Sequence, residues 1–313
     1  MLNILYCFDN NYNLQAYTSI VSLLDYAKSK VNINIIHKQG ILLEDIPKVI
    51  TNHKNLSSIK LNKFNIDKAN FPNIENAHVS EATYYRIYLD NFLDKSVDDI
   101  LYVDADIVFL NDITKVIKDL TPKLRSSDYL IAASTEYLNT TSNNQRFSNL
   151  NMQSSRYLNA GVMLIDVVKW REQDVGNILL DVQKRMASKL IYWDQDVFNI
   201  YLDGNYMELS EKLNYNPSNI IGSKENIQNI YENIICIHYN GKSKPWTVKG
   251  ILKEDSIFFQ HEYRKLKINS FLITHVWKWN SLKYFIFSFF NLKILKVQKK
   301  SKFIIDFFKS ILI

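Results

Sequence analysis

The chain has 313 residues, with 47% apolar and 22% charged residues, close to soluble globular averages, so disorder, coiled coil and collagen-like rods are excluded. A length of this order predicts about two domains, or one large domain with an appendage. The formal net charge of +6 is unevenly placed: residues 264–313 carry eleven Lys or Arg against one acid, leaving 27 basic against 31 acidic residues in the rest. The body is thus faintly acidic, which argues against a nucleic-acid groove, and the basic tail points to a partner of its own. Two cysteines, Cys7 and Cys236, give no disulfide framework and fit a reducing compartment. The N-terminus lacks a basic region followed by a long apolar core, so no signal peptide is expected. No apolar stretch reaches the ~18 residues of a membrane span. A cytoplasmic chain is the expectation.

In chain order, residues 3–8 form an apolar run ending at Asp9-Asn10-Asn11 and predict a buried strand. Leu14 to Ala27 has helical spacing, Val31 to His37 is strand-like and Ile46 to Thr51 helix-like. This alternation predicts a parallel α/β sheet with crossover helices. Further strands are expected at Ile100–Asp104, Tyr129–Ser134, Leu158–Ile165 and Ile234–His238, with helices from Val167 and from Asp194. Composition shifts near residue 264, giving one α/β domain (1–265) and a basic-aromatic helical extension (266–313).

Ligands of open α/β sheets gather outside the carboxyl ends of the strands. There the sequence delivers Asp9 and Asn11, then Asp104 and Asp106, then His238. Two carboxylates separated by Ala105 can converge on one hard cation or be two solvated turn acids. Adding an imidazole nitrogen favours Mn²⁺ over Mg²⁺. In His238-Tyr-Asn-Gly241-Lys-Ser-Lys244-Pro-Trp246, Gly241 permits close backbone approach and Lys244 can pair with phosphate. The same segment also reads as an ordinary surface turn. Arg86, among aromatics in Thr83-Tyr-Tyr-Arg86, either contacts phosphate or stacks and pairs with a surface acid. Asn159 precedes small residues at a strand entrance, where packing alone does not favour it. Asp194 and Asp196 suit the first turn of a helix, as N-cap and first-turn acid, which is compatible with a ligand role.

Taken together, Asp9-Asn-Asn11-Tyr12, Tyr84-Tyr-Arg86, Tyr102-Val-Asp104-Ala105-Asp106, Leu158-Asn159-Ala-Gly161-Val, Asp194-Gln195-Asp196 and His238 through Trp246 resemble glycosyltransferase family 8. The likeness is to bacterial lipooligosaccharide and lipopolysaccharide galactosyltransferases and glucosyltransferases, over roughly residues 1–265. It implies a GT-A fold, a mixed sheet flanked by helices, and retaining transfer of a hexose from UDP-galactose or UDP-glucose. It also implies Mn²⁺, with Mg²⁺ as a substitute, held by Asp104, Asp106 and His238. By the same carry-over Asp9 and Asn11 bind uracil, and Cys7 and Tyr12 pack around it. Ala105 lies against the nucleotide, and Gly241 and Lys244 hold the diphosphate. Arg86, Asn159, Asp194 and Gln195 line the sugar. Gln195 lies on the reacting face of the sugar, and Asp194 competes as a covalent nucleophile. Around Thr135-Glu136-Tyr137 no acceptor motif is matched.

Two other classes compete. Nucleotidyl or phosphoryl transfer also uses paired aspartates but usually needs a Gly-rich phosphate loop, absent among the seven glycines. A membrane-peripheral sugar-nucleotide binder keeps Asp9 and Lys244 but has no need of Asp194-Gln195. Transfer to a protein-linked or capsular glycan is the alternative acceptor. The tail, from Trp277, interleaves aromatics with lysines, as in a segment lying in an anionic membrane interface. A lipid-linked oligosaccharide acceptor at the inner face of the cell membrane fits that placement. The competing expectation is a helix pair whose aromatics pack on the body.

Overall fold

The computed structural model describes residues 1–67, 69, 71–72, 80–136, 140–217, 227–241 and 243–312. Nine strands are described: β1 (Leu2–Phe8), β2 (Val31–His37), β3 (Leu56–Lys63), β4 (Asp99–Val103), β5 (Ile107–Phe109), β6 (Ile131–Thr135), β7 (Leu158–Asp166), β8 (Met207–Glu208) and β9 (Cys236–His238). Seven of them form one sheet in the order β3-β2-β1-β4-β7-β6-β8. The β3-β2-β1-β4 half is parallel, as the strand–helix alternation predicts. β7 then runs antiparallel to both β4 and β6, so the sheet is mixed, matching the expected GT-A arrangement.

Period-two alternation sends successive side chains of the central strands to opposite faces. Ile4, Tyr6 and Phe8 of β1, with Leu101 and Val103 of β4, join the cluster beneath the Asn13–Tyr26 and Ser256–Arg264 helices. Leu5 and Cys7, with Ile100 and Tyr102, join the opposite cluster under residues 81–93 and the Val175–Met186 and Trp193–Leu202 helices. All nine residues of β7 are buried, which explains its continuous apolar pattern.

β5 and β9 make a second, two-stranded antiparallel sheet pairing Ile107 with His238. This small sheet positions the site. The chain leaves β4 at Asp104, turns through Ala105 and Asp106, and enters β5 beside the end of β9.

Two expectations need correction. The helix expected over Ile46–Thr51 is a single turn, Lys48–Thr51, after a 3₁₀ turn at Leu43–Asp45. Pro47, between them, lacks the N–H that a continuous helix would need. Asp194 is not an N-cap: the helix begins at Trp193, and Tyr192 before it makes no side-chain cap.

The tail forms two helices, Lys278–Phe290 and Lys300–Leu312. Their inner faces supply Phe285, Phe303 and Phe307 to a cluster with Phe271, Val248, Ile251 and Leu252. Their outer faces leave Trp277, Trp279, Phe287 and Phe290 exposed. The aromatics therefore divide between packing on the body and facing solvent. Among the described residues no helix is long and apolar enough to cross a membrane.

Candidate active site

One oxygen each of Asp104 and Asp106 and one ring nitrogen of His238 lie within 4.8 Å of one another. His238 Nε2 is 3.2 Å from Asp106 Oδ1 and 3.7 Å from Asp104 Oδ2. The orientation of the imidazole follows from an unambiguous backbone donor. Gly161 N–H donates to Asn159 Oδ1 at 2.9 Å, so that atom is the amide oxygen. Asn214 Nδ2 donates to the same oxygen at 2.9 Å, which turns Asn214 Oδ1 toward His238 Nδ1, 2.8 Å away. Nδ1 then carries a proton toward Asn214, and Nε2 is the ring nitrogen that faces the carboxylates. A hydrogen-bonded carbonyl that fixes the tautomer in this way is typical of a metal-binding histidine.

Among the described residues, Asp106 Oδ1 is buried without a hydrogen-bond partner. That oxygen lies 3.2 Å from His238 Nε2, so two carboxylates and a ring nitrogen turn toward one point. A cation is what such a donor set fits, and these residues therefore suit a divalent ion. Gly161 is required by the same geometry: a Cβ there would stand 2.2 Å from His238 Cε1 and 2.6 Å from Nδ1.

The other Asp106 oxygen accepts from Lys244 Nζ, which also donates to Tyr239 O at 2.7 Å. Burial opposes the charge on Asp106, but Lys244 and His238 hold its carboxyl well below the usual range. Burial likewise disfavours the Lys244 ammonium, and the Asp106 carboxylate outweighs it, raising the amine. Lys244 is thus a cation at neutral pH.

Arg86 stacks and pairs with acids, as one sequence alternative has it, but within the site rather than at the surface. It is 3% exposed, and of its two acid partners Asp194 is buried and Asp104 partly so. Nε meets Asp194 Oδ2 at 2.5 Å, Nη1 meets Asp104 Oδ1 at 3.1 Å and Ala160 O at 2.6 Å, and Nη2 meets Thr83 Oγ1 at 2.8 Å. Its guanidinium also lies over the Tyr102 ring at 4.3 Å. Arg86 thus ties Asp194 on one helix to Asp104 of the Asp–Asp–His group. Burial pushes the Asp194 carboxyl up, with Arg86 and the Thr83 hydroxyl pulling it back. Both Asp194 oxygens are occupied, Oδ1 by Thr83 Oγ1 at 2.5 Å.

Gln195 is clamped as well: Oε1 accepts from Ala160 N at 3.1 Å, and Nε2 donates to Glu136 Oε2 at 3.0 Å. Asp196 is structural. It accepts from the N–H groups of Ile191 and Tyr192 and from the Tyr157 hydroxyl, holding the preceding loop on the helix.

Two cavities meet at Thr83, Asp104, Asp106 and Lys244. The smaller, about 90 Å³, is lined by Cys7, Asp9, Tyr12 and Ala105. The larger, about 460 Å³, is lined by Asn159, Asp194, Gln195, Gly241 and Glu136. Asp9 is held by Asn11 N–H at 2.9 Å and by the Ser80 hydroxyl at 2.6 Å. Asn11 itself is exposed and lines neither cavity. Burial pushes the Cys7 thiol far up, so it packs rather than reacts. Tyr137 and Lys242, in two of the segments read from sequence, lie outside the described residues.

Sequence reasoning named Glu136 only within the unmatched acceptor-side segment and missed Asn214. Glu136 follows the carboxyl end of β6, a position that could have flagged it. Asn214 sits in a loop and gives no sequence signal.

The family model "Glycosyl transferase family 8" matches residues 3–250. General stress protein A of Bacillus subtilis is 24% identical over 90% of this chain and 96% of its own length. The lipopolysaccharide 1,3-galactosyltransferase of Salmonella typhimurium is 26% identical over 57% of this chain and 53% of its own length. The crystal structure of the galactosyltransferase LgtC with donor and acceptor sugar analogues superposes with a TM-score of 0.65. It is 22% identical and covers 89% of this chain and 99% of that one, a likeness of fold. With the family model spanning most of the body and the paired aspartates meeting the late histidine at the sheet edge, the chain belongs to glycosyltransferase family 8.

Proposed function

We propose that this glycosyltransferase moves galactose or glucose from its UDP-sugar to a saccharide acceptor with retention of anomeric configuration. The acceptor in this reading is the growing core of a lipopolysaccharide or lipooligosaccharide. The observation that carries the donor assignment is the meeting of Asp104, Asp106 and His238 at the seam between a small cavity and a larger cleft. A nucleoside diphosphate sugar has that shape: a base at one end, a hexose at the other and a pyrophosphate between.

Asp104, Asp106 and His238 would hold Mn²⁺, or Mg²⁺ in its place. When bound, the cation supplies Lewis-acid stabilisation of the charge that develops on the leaving diphosphate. The chain's own residues do the rest. Asp9, fixed by two donors, keeps lone pairs for an imide N–H, while Cys7 and Tyr12 enclose the base. Gly241, at φ +78, turns the loop in the left-handed region and leaves its Cβ position open. Lys244 brings a fixed cation to the same place, the type of preorganised charge that contributes most to catalysis.

Retention leaves the acceptor on the face from which the diphosphate departs, by one front-face step or by two inversions through an enzyme nucleophile. Gln195 Oε1 is engaged by a backbone N–H, and both Asp194 oxygens are engaged by donors, so neither is poised as a nucleophile. This supports a front-face path. The acceptor oxygen bonds to the anomeric carbon, the bond from that carbon to the diphosphate oxygen breaks, and the departing phosphate oxygen takes the hydroxyl proton. Asn159, Arg86, Asp194 and Gln195 position the sugar for it.

The reading also places the protein in the cytoplasm, peripheral on the inner face of the cell membrane. Its support is the exposed Trp277, Trp279, Phe287 and Phe290 beside Lys278, Lys283 and Lys293. Each lysine near an anionic leaflet adds about 1 kcal/mol. The acceptor assignment is supported by relatives named as lipopolysaccharide glucosyl- and galactosyltransferases.

The test is incubation of the full chain with UDP-galactose or UDP-glucose and Mn²⁺, with the product anomer read by NMR. Slow Mn²⁺-dependent hydrolysis of one donor without acceptor is expected, with at least a ~10²-fold loss of turnover in Asp106→Asn. Near-wild-type turnover in that variant, or an inverted product, overturns the reading.

A further inference from the structure

The Ser256–Arg264 helix has two working faces. Phe258, Phe259 and Tyr263 enter the main core against the Asn13–Tyr26 helix. Ile257, Gln260 and Arg264, spaced three and four apart, fall on another face and line a separate cavity of about 260 Å³. Its far wall is the tail: Phe271, Lys296, Val297 and Gln298. That volume is far above the ~10–15 Å³ of probe-occupied space that a single water needs.

Two polar atoms of the lining are left unsatisfied. Among the described residues, Arg264 Nη2 and Gln260 Oε1 are buried with no hydrogen-bond partner. Gln260 uses only its amide nitrogen, on Pro245 O at 2.9 Å. Arg264 has Phe271 as its described neighbour of note, with the ring centre 5.6 Å from the guanidinium. Burial lowers its pKa with no acid acting against the shift. Lys253 adds positive charge at the wall. The acid there, Glu254, is already paired with Lys296 at 2.6 Å.

We infer that this cavity is a binding site for a phosphate ester carrying a free hydroxyl, a polyol phosphate. The Arg264 fork matches phosphate oxygens geometrically. The orphaned Gln260 oxygen calls for a donor, which a hydroxyl beside the phosphate supplies while every phosphate oxygen stays free to accept from Arg264. The same chemistry occurs in soluble glycerol phosphate and in the headgroup of phosphatidylglycerol. Lys253 lines both this cavity and the cleft that holds Asp194 and Gln195, so the two sites are separated by one side chain. The inference is independent of the donor and acceptor assignments above.

The experiment uses the metal-free full chain at constant ionic strength. Glycerol 1-phosphate is titrated by calorimetry and by thermal shift, with inorganic phosphate as the comparison ligand. Saturable binding, tighter for glycerol 1-phosphate than for phosphate, is expected in the wild type and in Lys244→Ala, and at least tenfold weaker in Arg264→Gln. Acceptor-free UDP-hexose hydrolysis by Arg264→Gln is expected to be unchanged. Should that variant fold poorly, the Lys253→Gln variant tests the charge at the wall and is expected to bind several-fold more weakly. Vesicles of phosphatidylcholine with and without phosphatidylglycerol separate the sources. If the headgroup is the ligand, Arg264→Gln weakens binding to the anionic vesicles and glycerol 1-phosphate competes; if a soluble ester is the ligand, vesicle binding is indifferent to the substitution while glycerol 1-phosphate binding is lost. The inference is overturned by wild-type affinity in Arg264→Gln, by loss of binding in Lys244→Ala, which would place the ligand in the donor cleft, or by no saturable effect in either arm.

Discussion

Gly161→Ala probes the site by a single methyl group. The added carbon would stand 2.2 Å from His238 Cε1 and 2.6 Å from Nδ1. Carbon pairs rest at about 3.5–4.0 Å, so the imidazole must move by about 1 Å or more. His238 is buried and tied through Nδ1 to Asn214 at 2.8 Å, so the ring can give way only toward the cleft it lines, out of its present place. Metal–ligand distances tolerate only about 0.2 Å, so a shift of that size removes His238 from the coordination set. The whole-protein cost is that of modest overpacking, about 1–3 kcal/mol, leaving a folded protein to assay. Mn²⁺ affinity, measured by calorimetry with UDP present, is expected to fall at least ~10-fold, and acceptor-free hydrolysis by about 10². A folded Gly161→Ala variant that binds Mn²⁺ as tightly as the wild type would refute the reasoning.

Replacing Arg86 by Leu leaves Asp194 buried without its cation and is expected to cost about 3–5 kcal/mol in urea unfolding. Adding Asp194→Asn should recover part of that loss, and an unchanged midpoint in Arg86→Leu alone contradicts the ion-pair assignment. Burial raises both thiols, so the thiolate forms only as pH climbs far above neutrality. At pH 8 Ellman's reagent should label neither Cys7 nor Cys236 until denaturant is added; rapid labelling of the folded chain would count against their burial. Finally, Trp277→Ser, Trp279→Ser, Phe287→Ser and Phe290→Ser together change only exposed aromatics and spare the buried tail cluster. Co-sedimentation with anionic vesicles should drop several-fold while thermal stability holds, and undiminished sedimentation removes the membrane role of that face.

Legibility in the sequence followed burial. β1, β2, β4 and β7 were readable because their runs are almost wholly buried and apolar. β3 was not: as an edge strand, Leu-Ser-Ser-Ile-Lys-Leu-Asn-Lys is half exposed and carries the polar residues that discourage edge pairing. The 3₁₀ segment Glu81–Tyr88 has no period that sequence reading recognises, although its Arg86 was singled out. Within the site, Asp104, Asp106 and His238 were legible because each ends or follows a strand. Asn214 and the Arg86–Asp194 pair were not, since one is a loop residue and the other spans 108 positions. Such links exist only after the sheet has brought distant segments together.

The most direct measurement is pulsed EPR of Mn²⁺ bound to the full chain in the presence of UDP. The account predicts nitrogen coupling from one histidine ligand, present in the wild type and absent in His238→Gln. Manganese bound without such coupling, or coupling that survives His238→Gln, would contradict the proposed ligand set.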